Sequence, residues 1–307
     1  MRKSVGLFFG IYFSCIASVF AKADITEKHG ALFVENATYA EVENLFEKYD
    51  YVDFDMPGLP VPRIYLKTLP TDWEKIEKGD DKNRLFIRIL LPLIMKINEE
   101  LSLERSSVES LSDKLRSGKQ LSEKEKKLVE EKAEKYDIFS RNKDENRYKI
   151  LLDALSERVD ELPPGLLIAL AGIYSDWGNS RLAIQANSLY REEVWYSDEG
   201  IEPENVKNAE FRYRKFSSLE DGLKSYMHQL NTQKSYKFVR VARTQSRKIG
   251  RKVLGEQIMI VMSYDGKLKN IAGMLDFNLS YYKLNKTDMF PFLANVDMFD
   301  IKESGDK

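Results

Sequence analysis

The stretch Leu166-Leu-Ile-Ala-Leu-Ala-Gly-Ile173 is apolar on every side of a helix. Pro163 and Pro164 stand where such a helix begins, because a first-turn proline has no useful amide hydrogen to lose. Trp177-Gly178 marks where it stops. A helix over Leu166–Ser175 without a polar face has one stable place, the centre of a fold, with other elements packed around its circumference.

The rest of the chain supplies that coat. Leu85, Phe86, Ile89, Leu90, Leu93, Ile94, Ile97 and Leu101 recur at helical spacing and predict an amphipathic helix starting near Asp81. A second, highly charged helix is expected after it. A third is expected from Ser122, where Ser122 and Glu125 form a capping box. These two should pair as a hairpin over 104–135, its mixed charges forming a solvated face. Lys149 to Val159 reads as another helix. Val194-Trp195-Tyr196 and Phe211 to Phe216 read as two short strands around a polar loop. Ser217 and Glu220 then cap a helix whose buried stripe is Leu219, Leu223, Tyr226 and Leu230, and two or three more helices run to Leu279. Residues 24–80 lack a long period. Within them Glu41 to Lys48 reads as a short helix and Ile64 to Leu66 as an edge strand, while Pro57, Pro60, Pro62 and Pro70 force an extended path. The expected class is α+β and mainly helical, with a small β-hairpin lobe. The expected organisation is an N-terminal extension over 24–80, a main domain over 81–284 and a tail over 285–307.

The N-terminus reads differently. Arg2 and Lys3 precede an apolar run from Val5 to Phe20, and Ala21 and Ala23 supply the small residues of a cleavage site. That is the layout of a secretory signal peptide over 1–23. The run is about 16 residues, short of the roughly 20 that a membrane span requires; an uncleaved anchor is the alternative. Cleavage removes Cys15, the single cysteine, and leaves no thiol or disulfide chemistry. Removing Arg2, Lys3 and Lys22 from the 48 Lys and Arg leaves 45 against 49 Asp and Glu, a net of −4. That balance gives no electrostatic reason to expect nucleic acid or anionic lipid as a partner. The two histidines, His29 and His228, lie far apart, and no zinc cluster, phosphate loop or nucleophile elbow is present, so neither metal nor cofactor is expected.

The segment Leu155 to Pro163, the apolar helix, and Ser175-Asp-Trp-Gly-Asn-Ser-Arg-Leu-Ala183 together resemble the Bax-type branch of the bacterial glucosaminidase family. Phe216 to Tyr226, Leu230-Asn231-Thr232 and Ser235-Tyr236 resemble the same family's helix after the hairpin, and Arg84 to Arg105 its first helix. The resemblance implies a lysozyme-like body and a cleft that meets peptidoglycan glycan strands. In the family the central helix ends in Glu-Ser-x-Trp-Gly, and the glutamate is the general acid, because glycoside cleavage needs a protonated carboxyl beside the leaving oxygen. Here that position holds Tyr174, and a phenol with a pKa near 10 is a weak acid for the task. Glu192 and Glu193 fall where the hairpin begins and are candidates for a second, base-type carboxylate; Asp176 is the nearest other acid. Tyr264 falls where the family carries a cleft-lining tyrosine, and Lys269 where a second aromatic is expected. The family's Asn-Leu-Phe-Gly appears as Ser188-Leu189-Tyr190-Arg191, without its glycine. Trp195, Tyr196 and Tyr213 are candidate sugar-stacking residues, joined by Tyr190. Trp177 either packs on a sugar or anchors the helix end.

Three functional classes follow: a glycan-binding protein on a hydrolase fold, an active N-acetylglucosaminidase with a relocated acid, and a structural partner of another envelope protein that docks through the charged 104–135 hairpin. All three imply export to the periplasm or beyond. N-terminal sequencing of the mature protein is expected to start near Lys22 or Asp24; an intact chain in the membrane fraction would contradict cleavage.

Overall fold

The structure is a computed structural model that describes residues 23–54, 60–141, 146–196, 199–204, 206, 208–264, 266, 268, 270–289 and 293–299. The apolar run Val5–Phe20, Pro57, Lys269 and the Phe290–Phe292 triplet lie outside the described residues.

The N-terminal segment opens with β1 (Asp24–Lys28) and β2 (Ala31–Glu35), antiparallel through the His29-Gly30 turn. Sequence periodicity does not reveal this pair, because β1 is exposed along its whole length and has no apolar alternation to show. Helix α1 (Tyr39–Lys48) is closed at its start by a capping box between Thr38 and Glu41. Strand β3 (Val61–Pro62) follows, then β4 (Ile64–Leu66), which joins β2 in parallel as the edge strand expected from its sequence.

Helix α2 (Asp80–Arg116) runs for 37 residues. The sequence suggested two helices here, and the structure joins them. No breaker separates Leu101 from Arg105; what changes there is burial rather than helicity. The apolar residues from Leu85 to Ile97 lie in the main core, with Pro92 buried between them, whereas Val108 and Leu111 belong to a second, smaller core. Helix α3 (Glu123–Lys135) starts at the Ser122–Glu125 capping box and returns antiparallel along the end of α2. Lys114 pairs with Glu125 at 2.7 Å, and Lys132 and Lys135 pair with Glu104 at 3.0 and 2.7 Å. Helix α4 (Asn146–Arg158) completes this second core with Leu151, Leu152 and Leu155.

Helix α5 (Pro164–Ser175) is the central one. Pro164 to Gly172 are all buried, and only Ile173 and Tyr174 reach partial exposure. Its coat is α2, the helices over Gly255–Tyr264 and Ala272–Tyr281, and a 3-10 turn over Leu284–Met289. Helix α6 (Arg181–Ala186) leads to β5 (Glu193–Trp195) and β6 (Phe211–Tyr213), a two-stranded antiparallel hairpin. Helix α7 (Leu219–Thr232) buries Leu219, Leu223, Tyr226 and Leu230. Its cap is Ser218, whose side chain accepts from the Asp221 amide, one residue later than the Ser217–Glu220 box read from sequence. Helices α8 (Lys237–Lys248), α9 (Gly255–Tyr264) and α10 (Ala272–Tyr281) follow, then a 3-10 turn over Leu284–Met289 and β7 (Leu293–Ala294), which pairs in parallel with β3. The 24–80 segment and the last residues share the main core with α5, through Phe46, Ile64, Trp73, Leu284, Leu293 and Val296. The fold is α+β and mainly helical with a small hairpin lobe, as the sequence implied. Among the described residues no helix is long and apolar enough to cross a membrane.

One carboxylate fixes the entry to α5. Asp160 is 2% exposed and accepts from Arg247 Nε at 2.8 and 2.9 Å. Arg105 of α2 and Arg243 of α8 stand 3.8 and 3.9 Å from it. Arg243 is fully buried, which pulls its guanidinium down to about 10, and its Nη1 donates to Asn231 at 2.6 Å. Removing the anion strands three guanidinium groups, and breaking a buried pair costs about 3–5 kcal/mol. Asp160→Asn is therefore expected to lower stability by about that much in urea unfolding, and Arg247→Gln, at the half-exposed end of the cluster, by clearly less.

Candidate active site

The C-terminal end of α5 is a strained turn. Asp176, Trp177 and Gly178 all have left-handed backbone, at φ 52°, 53° and 82°. A tryptophan there costs roughly 1–3 kcal/mol, so its surroundings must hold it. They do: the Trp177 amide donates to Gly172 O at 2.7 Å, and the Gly178 amide to Ser175 Oγ at 2.9 Å. The indole ring lies on Gly172, where a Cβ would come within 3.0 Å of it, and between the rings of Phe86 and Tyr282 at 5.9 and 4.8 Å. Trp177 thus anchors the helix end. Gly178 has no room for a side chain, since a Cβ would meet Leu69 and Trp73 at 2.9 Å.

That turn aims Tyr174 into a groove of about 800 Å³ between α7 and the hairpin. Tyr174, Tyr190, Tyr226 and Tyr236 gather in its wall. Tyr190 and Tyr226 stack at 3.8 Å with their planes 10° apart, and the Tyr190 hydroxyl donates to Leu167 O at 3.0 Å. Burial pushes all four phenols above their ordinary value; the Arg191 guanidinium opposes this only for Tyr174. Arg191 holds φ 54°, where a glycine would sit without strain, and its Nε donates to the Tyr174 carbonyl at 2.8 Å.

The carboxylates are placed as follows. Glu192 lines the groove, but Arg214 Nε lies 2.9 Å from one oxygen and Ser225 Oγ donates to the other at 2.7 Å. Glu193 lines the groove from β5 and is exposed. Asp176 lies outside the groove lining and pairs with Lys78 at 2.6 Å. Among the aromatics, Trp195 lines the groove and is 53% exposed. Tyr196 and Tyr213 stand on the hairpin beside it, off the lining, and Tyr264 is 90% exposed at the end of α9, also off the lining. Tyr190 is a wall residue held by its own hydrogen bond, and Trp177 belongs to the helix anchor. Residues outside the sequence-based set also line the groove: a further carboxylate, Asp137, and Arg214; Ser225, His228, Gln229 and Thr232 from α7; then Gln233 and Tyr236. The signal of the α7 residues was a helical face that is polar without being charged. Burial lowers the His228 pKa. Among the described residues no three His, Cys, Asp or Glu side chains are grouped to hold a metal ion.

The Glucosaminidase family model, described as mannosyl-glycoprotein endo-beta-N-acetylglucosaminidase, matches residues 151–276, which span α5, the hairpin and α7. Over those residues the chain is similar to the Glucosaminidase family. Protein bax of Escherichia coli (strain K12) is 30% identical over 182 residues, covering 59% of this chain and 62% of that protein. The chain thus matches less than two thirds of that relative's length. The catalytic domain of the autolysin Auto from Listeria monocytogenes is 14% identical, with a TM-score of 0.33 over 69% of this chain and 90% of that one.

The two tryptophans separate anchor from groove. Trp177→Ala is expected to cost about 3 kcal/mol in urea unfolding, the lower end for a tryptophan truncation because the ring is only half-buried. Trp195→Ala should change stability by less than about 0.5 kcal/mol, as for an exposed side chain.

Proposed function

We propose that the groove holds the glycan strands of peptidoglycan and does not cut them through the acid position its family uses. The observation that carries this is Tyr174. At the end of α5, where the family resemblance puts a general acid, stands a phenol that burial pushes above its ordinary value. A group that holds its proton that tightly donates a hydrogen bond but does not protonate a leaving oxygen near neutral pH. The groove carboxylate nearest to the hairpin root, Glu192, has both oxygens committed to Arg214 and Ser225. Between its charged residues the lining offers what a hydroxyl-rich polymer uses: amides and hydroxyls from α7 on one wall and the exposed ring of Trp195 on the other. We also propose that the mature chain works outside the cytoplasm, where that polymer lies; the Val5–Phe20 run supports it.

Sedimentation with purified peptidoglycan should recover the natural protein, and no reducing ends should appear. Positioned acid–base catalysis is worth about 10²–10⁴-fold. Tyr174→Glu restores a carboxyl to the family position and is expected to raise cleavage from background to a measurable rate. Robust cleavage by the natural protein would overturn the reading, and Glu192→Gln, Glu193→Gln and Asp176→Asn would then identify the substitute acid.

A further inference from the structure

The overall charge balance conceals a local one. From Gly222 to Gly255 the chain contains no Asp or Glu, yet it carries nine Lys and Arg. Three of these arginines face inward from α8: Arg240 and Arg243 are buried, and Arg247 grips Asp160. They fix α8 rigidly on the body. The opposite side of α8 is therefore a preformed surface. It carries Lys237, Phe238, Val241 and Lys248, continued at its ends by Lys234, Ile249, Arg251 and Lys252, all exposed.

Two properties distinguish this face from an ordinary solvated one. First, Lys234, Lys237, Lys248, Arg251 and Lys252 have no carboxylate within 4.0 Å among the described residues. The charged face of α3 is the contrast within the same molecule: Lys126, Lys127, Lys132 and Lys135 each pair with a glutamate there. Second, large apolar side chains stand among the free cations. Phe238 is 59% exposed and Ile249 65%. A soluble polyanion satisfies the cations and leaves these two in water. A bilayer with anionic headgroups takes both, with the cations at the phosphates and the apolar groups in the interface.

We propose that the outer face of α8, with the Ile249–Lys252 turn, is a docking surface for an anionic lipid bilayer. Gln233 and Tyr236 line the groove and immediately precede this face, so docking sets the α7 end of the groove beside the membrane. The inference is independent of what the groove holds.

The test is co-sedimentation of the full chain with vesicles of equal phosphatidylglycerol and phosphatidylcholine, against vesicles of phosphatidylcholine alone. The second set measures any insertion of the apolar N-terminal run, which does not depend on headgroup charge. Each cation near an anionic surface contributes about 1 kcal/mol, or roughly five-fold. Lys237→Gln, Lys248→Gln and Arg251→Gln together should weaken binding to the anionic vesicles roughly 100-fold. Phe238→Ser with Ile249→Ser should weaken it about ten-fold or more while leaving the binding of heparin, a soluble polyanion, unchanged. All five positions are exposed, and an unchanged thermal melt confirms that each variant is folded. Equal binding to the two vesicle types overturns the proposal. Anionic-vesicle binding that survives the Phe238 and Ile249 changes also overturns it, in favour of a surface for soluble polyanions.

Discussion

The Asp160 carboxylate is the constraint on which the arrangement rests. It sits in the turn between α4 and α5, and the guanidinium groups that surround it come from α2 and α8. A buried ion cluster of this kind is weak evidence of net stability, since desolvation offsets much of the attraction. Its effect is on position. The side chains can satisfy one another in only one register, so the cluster sets where α5 begins relative to α2 and how α8 is rotated. The depth of Tyr174 in the groove and the outward face of α8 are both consequences of that single register.

Much of this was legible in the sequence because it follows from local chemistry. A helix with no polar side had to be central, a serine followed three residues later by glutamate at Ser122 had to start a helix, and the aromatic segments around Pro203 had to pair as a hairpin. What escaped reading depended on partners distant in sequence or on averages. Strand β1 exists because β2 lies beside it. The length of α2 reflects two cores meeting along one helix, which a change from apolar to charged residues disguised as an end. The α7 wall was read only for its buried stripe, since residues such as Gln229 and Thr232 carry no charge pattern to attract notice. The basic face of α8 vanished into a total charge near zero, because acidic residues elsewhere cancel it.

At the end of α5, Arg191 Nε bonds the Tyr174 carbonyl at 2.8 Å. The strained turn through Trp177 follows. Its cost is met by packing against Phe86 and Tyr282, which belong to the core rather than to the groove. The turn is therefore maintained by interactions that do not involve the side chain at position 174.

The last described residues have a temporal consequence. Asp288 is buried, burial raises its carboxyl to about 6, and it accepts from the amides of Gly165 and Gly255, at the starts of α5 and α9. Just beyond it, β7 closes on β3 near the opposite end of the chain. The first turn of the central helix is completed only when residues near 288 arrive, more than 120 positions later. Contacts of such sequence separation form late, because loop closure must precede the energy they return. During synthesis the apolar centre thus stays open until residues near 288 have emerged, so the order of emergence itself sets when the centre can close.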